Sequence, residues 1–402
     1  MAKKLKFNKY KLINFKKVIN GDFSKELVVN NGLISKTSSI EEHYLVDCMD
    51  CVICPGFIDP QVNGFGKCNF WDLSNLTYEL IDNLRFELSC KGVIAFCPTI
   101  ITAPPDKILK TIDFINSYIK QSSKNDLGAK ILGIHIEGIF ITNPGVHDKQ
   151  YINQDLSSKN VEPFIQENVI LFTLAPELDK TGEAIHVLQK NNILVSIGHS
   201  NGNYKDGIRA INEFGLKTVT HMFNTLKGIE GFHHRDKRDK NSNIDLLVSK
   251  LQNEKNIDYE NDGILLPLLK SKEVLCMVIS DGMHVSKEVV KLLREYKDKE
   301  HFALVSDLVS FDFFAKTKIS RTLGGGQEGL DICVKNLIDW KVSNLEDSLL
   351  SASYPLSLQL DLAKNLGLGR IEDGKEANIV IWDTKKNIVK GTIIGENLFL
   401  NN

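Results

Sequence analysis

The sequence lacks an excess of charge of either sign. Its 402 residues contain 49 Lys and Arg against 51 Asp and Glu, which leaves a formal net charge of −2 with neutral histidines. So small a net charge gives no reason to expect a polyanion such as a nucleic acid as the main partner. We therefore expect the protein to act on a small molecule.

Long apolar runs are also missing. No window approaches the roughly 18 apolar residues of a membrane-spanning helix. The basic N-terminus is not followed by the apolar run of about seven residues that a secretion signal needs. Eight cysteines in 402 residues are too few for a disulfide scaffold. These absences predict a cytoplasmic protein that has reduced cysteines and no membrane partner.

What the sequence does contain is a series of short aliphatic or β-branched runs, each followed by a turn and then by a stretch with helical spacing. Eight such runs can be counted, at 52–58, 93–98, 131–137, 169–175, 194–199, 218–221, 275–281 and 302–307. Alternating strands and helices are typical of a parallel sheet. Eight repeats over this length predict a closed (β/α)₈ TIM barrel, an α/β fold.

The two ends of the chain do not fit this repeat. Residues 1–54 and 370–402 indicate short strands joined by turns such as Asn31-Gly32. We predict that they pair as one discontinuous β-sandwich domain, with the barrel at 55–369. Residues 236–262 are rich in Lys, Asn and Asp, which indicates an exposed, mobile insertion.

Polar residues at the ends of the predicted strands converge on one rim of such a barrel, where the active sites of this fold lie. Two of them are His199 and His221, and Glu137 ends an earlier strand. A single histidine of this kind is more often structural, and polar residues also mark ordinary strand exits. Two histidines and one carboxylate, however, form a ligand set that leaves a metal ion room for water, as metal-assisted hydrolysis requires.

Asp307 ends the last predicted strand. It is placed to accept a proton from water and to return the proton to a leaving amine. Considered alone, a strand-end Asp could equally cap a helix.

Five segments resemble the amidohydrolase superfamily and, within it, the N-acetylglucosamine-6-phosphate deacetylases. They are Pro-Gly-Phe-Ile-Asp-Pro-Gln-Val-Asn-Gly at 55–64, Gly-Ile-His-Ile-Glu-Gly at 133–138, Gly-His-Ser at 198–200, Thr-His-Met-Phe-Asn at 220–224 and Ser-Asp-Gly-Met-His at 280–284. Together with smaller matches, they follow the order of the family from about residue 50 to residue 383.

The resemblance implies roles for these residues. Glu137, His199 and His221 match the metal ligands of the family, and Asp307 matches its general base and acid. Many amidohydrolases carry a His-x-His pair after the first strand that holds a second metal ion. Here Gln61 and Asn63 stand at those positions, as in the deacetylases. The resemblance therefore implies one divalent ion per subunit, Zn²⁺.

The resemblance also implies substrate contacts. His147 matches a histidine near the acetyl carbonyl, where it could stabilise an oxyanion. The planar guanidinium of Arg235 suits a phosphate, and in the family this arginine comes from a neighbouring subunit, which implies a homodimer. The full set of implied substrate-binding residues is Val146, His147, Asn224, Thr225, Arg235, Asp281, Gly282, Met283, His284, Leu323, Gly324 and Gly325.

Several positions depart from the family pattern. Ile139 stands where the family has Pro, Thr225 replaces Ala, and Leu308 follows Asp307 where Ala is common. The loops before His147 and before Arg235 also differ in length. None of these changes affects a predicted metal ligand. They lie in the loops that shape the substrate pocket.

The resemblance thus implies metal-dependent hydrolysis of N-acetyl-D-glucosamine 6-phosphate to D-glucosamine 6-phosphate and acetate, in amino-sugar catabolism. One alternative is an amidohydrolase for another acetylated amino-sugar phosphate or a cyclic amide, and another is an inactive binding protein. Residues 233–238 could form a basic patch for nucleic acid, but no aromatic platform lies beside them. We interpret Cys48, Cys51 and Cys54 as small buried residues, because a fourth ligand with motif spacing is missing.

Overall fold

The computed structural model describes residues 3–36, 43–122, 128–229, 240–319, 323–360 and 366–401. Its strands are β1 Lys3–Lys6, β2 Lys9–Ile13, β3 Lys17–Val18, β4 Glu26–Asn30, β5 Leu33–Ser35, β6 Tyr44–Asp47, β7 Cys51–Pro55, β8 Phe57–Val62, β9 Gly64–Phe65, β10 Cys68–Asn69, β11 Val93–Ile101, β12 Lys130–Ile131, β13 Ile134–Glu137, β14 Val169–Leu174, β15 Leu194–Ile197, β16 Thr218–Val219, β17 Leu275–Val278, β18 Phe302–Leu304, β19 Asn378–Asp383, β20 Ile388–Ile394 and β21 Asn397–Leu400.

The α-helices lie mostly between the barrel strands. They are α1 Tyr78–Cys90, α2 Pro105–Ser122, α3 Ser158–Val161, α4 Glu183–Lys190, α5 Tyr204–Asn212, α6 Lys240–Gln252, α7 Leu265–Lys270, α8 Lys287–Tyr296, α9 Phe311–Ile319, α10 Leu330–Asp339, α11 Leu345–Leu350 and α12 Tyr354–Gln359. Helix α1 shows how the sequence specifies them: the Thr77 side chain accepts a hydrogen bond from the N–H of Leu80 and caps the helix. The helix then buries Leu84 and Leu88.

The barrel sheet confirms the predicted fold class. Strands β8, β11, β13, β14, β15, β16, β17 and β18 pair side by side in parallel. Strand β12 pairs with β11 just before β13 does, so the predicted run at 131–137 is one barrel strand interrupted at 132–133. A parallel bridge between Val62 and Leu308 joins the first strand to the segment that follows the last one. The ends that carry the predicted site therefore meet at one rim.

The predicted first barrel strand at 52–58 is wrong, because it combines parts of two strands. Strand β7 pairs with β19 in the terminal sheet, and β8, which begins at Phe57, pairs with β11 in the barrel. Every residue of β7 and β8 is buried. A continuous apolar run of this kind carries no alternation that would mark the break between the two strands.

The chain ends form two further sheets. One has six strands in the order β1-β21-β20-β19-β7-β3, and the other has four in the order β5-β4-β2-β6. Strand β1 pairs antiparallel with β21, so the two ends of the chain lie side by side. Asn31 and Gly32 have positive φ angles of 48° and 76°, as a two-residue hairpin turn needs. The domain limits at 54/55 and 369/370 remain a prediction.

The structure corrects the expectation for residues 236–262. Residues 230–239 lie outside the described part of the chain, but α6 is a helix that buries Leu247 and Leu251 in the main apolar core. Lys250 Nζ lies 2.6 Å from Oδ1 of the buried Asp262. Residues 240–262 are thus anchored rather than exposed throughout, because one apolar turn of the helix and one shielded ion pair hold them in place.

The cysteine run agrees with its structural interpretation. Cys48, Cys51 and Cys54 are buried free thiols, and burial raises the pKa of Cys48 to about 12. No cysteine takes part in a cluster of three potential metal ligands in the described ranges. Among the described helices, none has the length and apolar character to cross a membrane.

Candidate metal centre and active site

The predicted metal and acid–base residues surround one cavity at the carboxyl ends of the barrel strands. Its volume is about 270 Å³. The described residues that line it are Asn63, Trp71, Ile101, Glu137, Asn143, Gly145, Val146, His147, His199, His221, Asn224, Thr225, His284, Asp307, Val309, Phe313, Leu323, Gly324 and Gly325. The cavity therefore combines a cluster of ionisable groups with an apolar wall.

The two histidines of the predicted ligand set and Asp307 adopt an unusual backbone conformation. The φ angles of His199, His221 and Asp307 are 51°, 28° and 51°, so all three lie in the left-handed region. Residues other than glycine rarely adopt this backbone conformation, and those that do cluster at functional sites. Each follows the end of its strand by two or three residues. The turn of the backbone directs each side chain into the rim.

Glu137, His199 and His221 form a buried cluster whose potential ligand atoms all lie within 4.8 Å of one another. Oε1 of Glu137 is 2.8 Å from Nε2 of His221 and 3.4 Å from Nε2 of His199. Burial raises the pKa of Glu137, but hydrogen bonds and charges of the two histidines outweigh it and hold the pKa well below its usual value. The carboxylate is therefore ionised, as a metal ligand must be.

The surroundings of His199 fit a metal ion. Its Nδ1 lies 2.8 Å from the carbonyl oxygen of Asn143, which can only accept, so Nδ1 carries the hydrogen and Nε2 offers a lone pair. Nδ1 of His221 is buried and has no hydrogen-bond partner in the described structure. Two imidazole nitrogens and one carboxylate oxygen suit Zn²⁺ and leave a coordination position open.

Glu177 holds the loops on either side of His199. Its Oε2 accepts a hydrogen bond from the Ser200 hydroxyl at 2.7 Å, and its Oε1 accepts one from the backbone N–H of Asn201 at 2.9 Å. The hydroxyl of Thr142 also donates to Oε1. Thr142 precedes Asn143, so Glu177 joins the segment that orients His199 to the segment that follows it.

Asp307 is buried beside this cluster. Its Oδ1 accepts hydrogen bonds from Nδ2 of Asn63 at 2.6 Å and from Nε2 of Gln61 at 2.8 Å. Burial and the negative charge of Glu137 raise the pKa of Asp307 from 3.8 to about 7, although His221 and the two amides act in the opposite direction. A carboxyl group with such a pKa can both accept and release a proton near neutral pH.

His147 lies close to both Glu137 and His199. Its Nε2 is 3.9 Å from Oε2 of Glu137, and its ring centroid is 4.3 Å from that of His199. Burial, and next the charge of His199, lower the pKa of His147 to about 3. The ring is therefore neutral at neutral pH and can act in the cavity as a hydrogen-bond donor or acceptor.

The predicted substrate residues divide into three groups. Val146, His147, Asn224, Thr225, His284, Leu323, Gly324 and Gly325 line the cavity. Asp281, Gly282 and Met283 do not line it, and Met283 is 40% exposed. Arg235 lies outside the described residues, and no Lys or Arg occurs in the described part of the lining.

Asp281 instead supports His284. Its Oδ2 is 2.7 Å from Nδ1 of His284. Its Oδ1 accepts hydrogen bonds from the backbone N–H groups of Met283 and His284. Nε2 of His284 is left without a hydrogen-bond partner among the described residues. The pair therefore presents one unpaired imidazole nitrogen at the cavity wall.

The sequence interpretation missed the apolar and aromatic part of the lining. Trp71 and Phe313 form an edge-to-face pair with ring centroids 4.6 Å apart, and Ile101 and Val309 also line the cavity. Ile101 is the last residue of β11, whereas the other three come from loops or from α9. Their apolar character is no different from that of core residues, so only their location shows that they face the cavity.

Comparisons with known proteins find several that are similar to this chain over most of its length. The chain is 28% identical over 381 residues to an N-acetylglucosamine-6-phosphate deacetylase of Mus musculus. The aligned region covers 87% of this chain and 84% of the mouse protein. The crystal structure of an N-acetylglucosamine-6-phosphate deacetylase from Pasteurella multocida has a TM-score of 0.78 and 22% identity, over 98% of this chain and 100% of that one.

A third similar protein is the N-acetyl-D-glucosamine-6-phosphate deacetylase of Mycobacterium smegmatis, solved as a point mutant in complex with N-acetyl-D-glucosamine-6-phosphate. Its TM-score is 0.73 at 17% identity, over 97% of this chain and 99% of that one. No protein-family model matches the chain. The relatives confirm the resemblance that the sequence motifs predict, and the solved structures confirm the fold.

Proposed function

We propose that this protein is a metal-dependent deacetylase that hydrolyses N-acetyl-D-glucosamine 6-phosphate to D-glucosamine 6-phosphate and acetate, in amino-sugar catabolism. One observation carries the proposal. In a chain similar to such deacetylases over most of its length, the cavity at the barrel rim holds the buried cluster of Glu137, His199 and His221 beside Asp307. This combination supports hydrolysis of an amide bond.

Glu137, His199 and His221 would hold one divalent cation per subunit, and the nitrogen-rich ligand set favours Zn²⁺. Such an ion supplies Lewis-acid chemistry: it polarises a bound carbonyl and lowers the pKa of water to about 7. Gln61 and Asn63 stand where other amidohydrolases hold a second ion, and their amides hydrogen-bond to Asp307. A single ion is therefore the proposed state.

Asp307 performs the proton transfers. As a carboxylate it accepts a proton from the water that attacks the acetamide carbon, and as a carboxylic acid it returns that proton to the nitrogen of the departing amine. Its raised pKa suits both steps. The buried position of the carboxyl group and the two amide donors hold it in one orientation beside the cluster.

The remaining site residues bind the substrate. We propose that Nε2 of His147 donates to the acetyl oxygen, where negative charge develops in the transition state. His284 contributes its unpaired Nε2 to the phosphate, and Arg235 contributes its guanidinium group. We assign Val146, Asn224, Thr225 and the loop of Leu323, Gly324 and Gly325 to the sugar, and Asp281, Gly282 and Met283 to the support of His284. We further propose a cytoplasmic homodimer in which Arg235 of one subunit serves the other.

The test is an assay of acetate release by the purified Zn²⁺-loaded protein. We expect activity on N-acetyl-D-glucosamine 6-phosphate and a loss of kcat of about 10³-fold or more in Asp307→Asn, since that variant lacks the acid and the base. Asp312→Asn, an exposed substitution on α9, is the matched control. Full activity of Asp307→Asn would contradict the mechanism.

The phosphate part of the substrate has a separate test. Arg235→Ala should reduce kcat/KM strongly for the 6-phosphate and hardly at all for N-acetyl-D-glucosamine, because only the phosphate gains from the guanidinium group. Activity confined to another amide would contradict the substrate assignment and leave the metal-dependent chemistry standing.

A further inference from the structure

Thr102 contacts the His147 ring at the nitrogen opposite to Nε2. Its Oγ1 lies 2.7 Å from Nδ1, and its backbone nitrogen lies 3.4 Å from the same atom. A backbone N–H group can only donate a hydrogen bond. Nδ1 of His147 therefore has to be an acceptor, without a hydrogen of its own.

The hydroxyl of Thr102 supports the same assignment. Its oxygen accepts a hydrogen bond from the backbone N–H of Ile139 at 2.9 Å. The hydroxyl hydrogen is then available for Nδ1 of His147, the ring nitrogen within reach. A neutral imidazole with an unprotonated Nδ1 carries its hydrogen on Nε2.

We propose that Thr102 is a positioning residue that fixes His147 in the tautomer with the hydrogen on Nε2, so that His147 serves as a hydrogen-bond donor in the cavity and stays out of the metal ligand set. An N–H group has no lone pair for a cation, whereas a bare Nε2 beside Glu137 would compete for it. The role of His147 as donor rests on the proposed function. The tautomer itself does not.

Gly138 leaves the space that the contact between Thr102 and His147 needs. Its φ angle is +104°, and a Cβ atom there would overlap Oγ1 of Thr102 and approach Nδ1 of His147 to 2.8 Å. Any larger residue would separate the two side chains. Glycine directly after Glu137 thus lets Thr102, His147 and the carboxylate lie together.

The direct test is nitrogen NMR of the Zn²⁺-loaded protein with labelled histidine, in which the His147 signals are assigned from their loss in His147→Gln. We expect the chemical shifts of an unprotonated Nδ1 and a protonated Nε2. A protonated Nδ1 in the wild-type protein would overturn the proposal. The measurement needs neither a substrate nor a Thr102 variant, so neither failure of the proposed deacetylation nor misfolding of a Thr102 variant would affect it.

Thr102→Val and Thr102→Ser give the second test. The Val variant should shift the His147 signals towards the other tautomer. It should also lower kcat about 10-fold or more. For comparison, removal of a whole oxyanion donor lowers kcat about 100-fold or more. KM and Zn²⁺ content should stay the same. The Ser variant should restore both the NMR signature and kcat, because it keeps the hydroxyl.

Thr111→Val is the matched control, since Thr111 is a buried threonine of α2 whose hydroxyl donates a hydrogen bond to the helix carbonyl of Lys107. It should change neither the His147 signals nor kcat. A Thr102→Val protein with the wild-type His147 signature would overturn the assigned role of the Thr102 hydroxyl. Loss of Zn²⁺ in that variant would also contradict it, because it would point to a merely structural effect.

Discussion

Nε2 of Gln61 donates a hydrogen bond to Oδ1 of Asp307 at 2.8 Å. The same nitrogen lies 2.8 Å from Oε1 of Glu137, and Oε1 of Gln61 accepts the hydroxyl of Thr220. An amide nitrogen has two hydrogens, so it satisfies both carboxylates at once. Gln61 thus stands between the proposed ligand and the proposed acid–base residue, where a cation would otherwise reduce their repulsion.

We expect Gln61→Leu to lower kcat by about 10- to 100-fold, the usual range when a group that orients the reacting residues is removed. Leucine has a similar volume and no donor, so Asp307 would lose part of its orientation. Initial rates at saturating substrate and zinc content by mass spectrometry would measure the effect. Gln189→Leu, which removes a hydrogen bond to Phe214 far from the cavity, should leave kcat unchanged. A wild-type kcat in Gln61→Leu would contradict the role of this bridge.

The double variant Gln61→His and Asn63→His should bind a second divalent ion. It creates the His-x-His pair of other amidohydrolases. The new histidines would lie beside the carboxylates of Glu137 and Asp307, to which the amides of Gln61 and Asn63 donate hydrogen bonds in the wild type. Titration with Zn²⁺ should give two equivalents per subunit, against one in the wild type. Each single variant is a control and should bind one, because one new histidine does not complete the ligand set. A stoichiometry of one in the double variant would show that these strand-end positions cannot hold an ion in this barrel.

The ligand cluster was predictable from the sequence because it depends on topology. Parallel strands of a barrel end at the same rim, so Glu137, His199 and His221 had to meet if the strands were recognised. The contacts of Thr102 with His147 were not predictable in this way. They depend on loop conformations and on the close approach that Gly138 allows, neither of which leaves a periodic signal.

The predicted first barrel strand at 52–58 was wrong for a related reason. Residues 51–62 form two strands that are buried throughout, and local periodicity cannot distinguish one such run from two. The break at Gly56 follows from long-range pairing: its N–H donates to Asn378, whereas that of Phe57 donates to Gly92. Local patterns therefore predict the fold class and the rim residues, whereas tertiary pairing decides the register.

We expect Glu177→Gln to weaken metal binding by about 10- to 100-fold, as is usual when a group behind a metal ligand is changed. The carboxylate accepts three hydrogen bonds that join the Asn143 segment to the segment after His199, and an amide can accept fewer. Competition with a chelator of known affinity would measure the dissociation constant. Glu183→Gln, an exposed change on α4, should leave it unaltered. Equal affinities of the Glu177 variant and the wild type would exclude this role.

Asp59 makes the stability of the protein depend on pH. It is fully buried on β8, its Oδ2 contacts the hydroxyl of Ser306, and burial raises its pKa from 3.8 to about 7. The folded state therefore binds the Asp59 proton more tightly than the unfolded state does. Its contribution is most favourable below pH 4, and it is lost as pH rises from about 4 to 7.

Asp59→Asn removes the ionisable group, so its effect on the stability of the protein should be more favourable at high pH than at low pH. At 1.36 kcal/mol for each pKa unit, its effect on the free energy of unfolding should be about 2 to 3 kcal/mol more favourable at pH 8 than at pH 5. Urea unfolding of chelator-treated protein at the two pH values would measure this, without a contribution from pH-dependent metal binding. Asp106→Asn, an exposed change on α2, should show no such difference. If Asp59→Asn changed the free energy of unfolding equally at both pH values, Asp59 would have the same pKa in the folded and unfolded states. That result would contradict the prediction that burial raises its pKa.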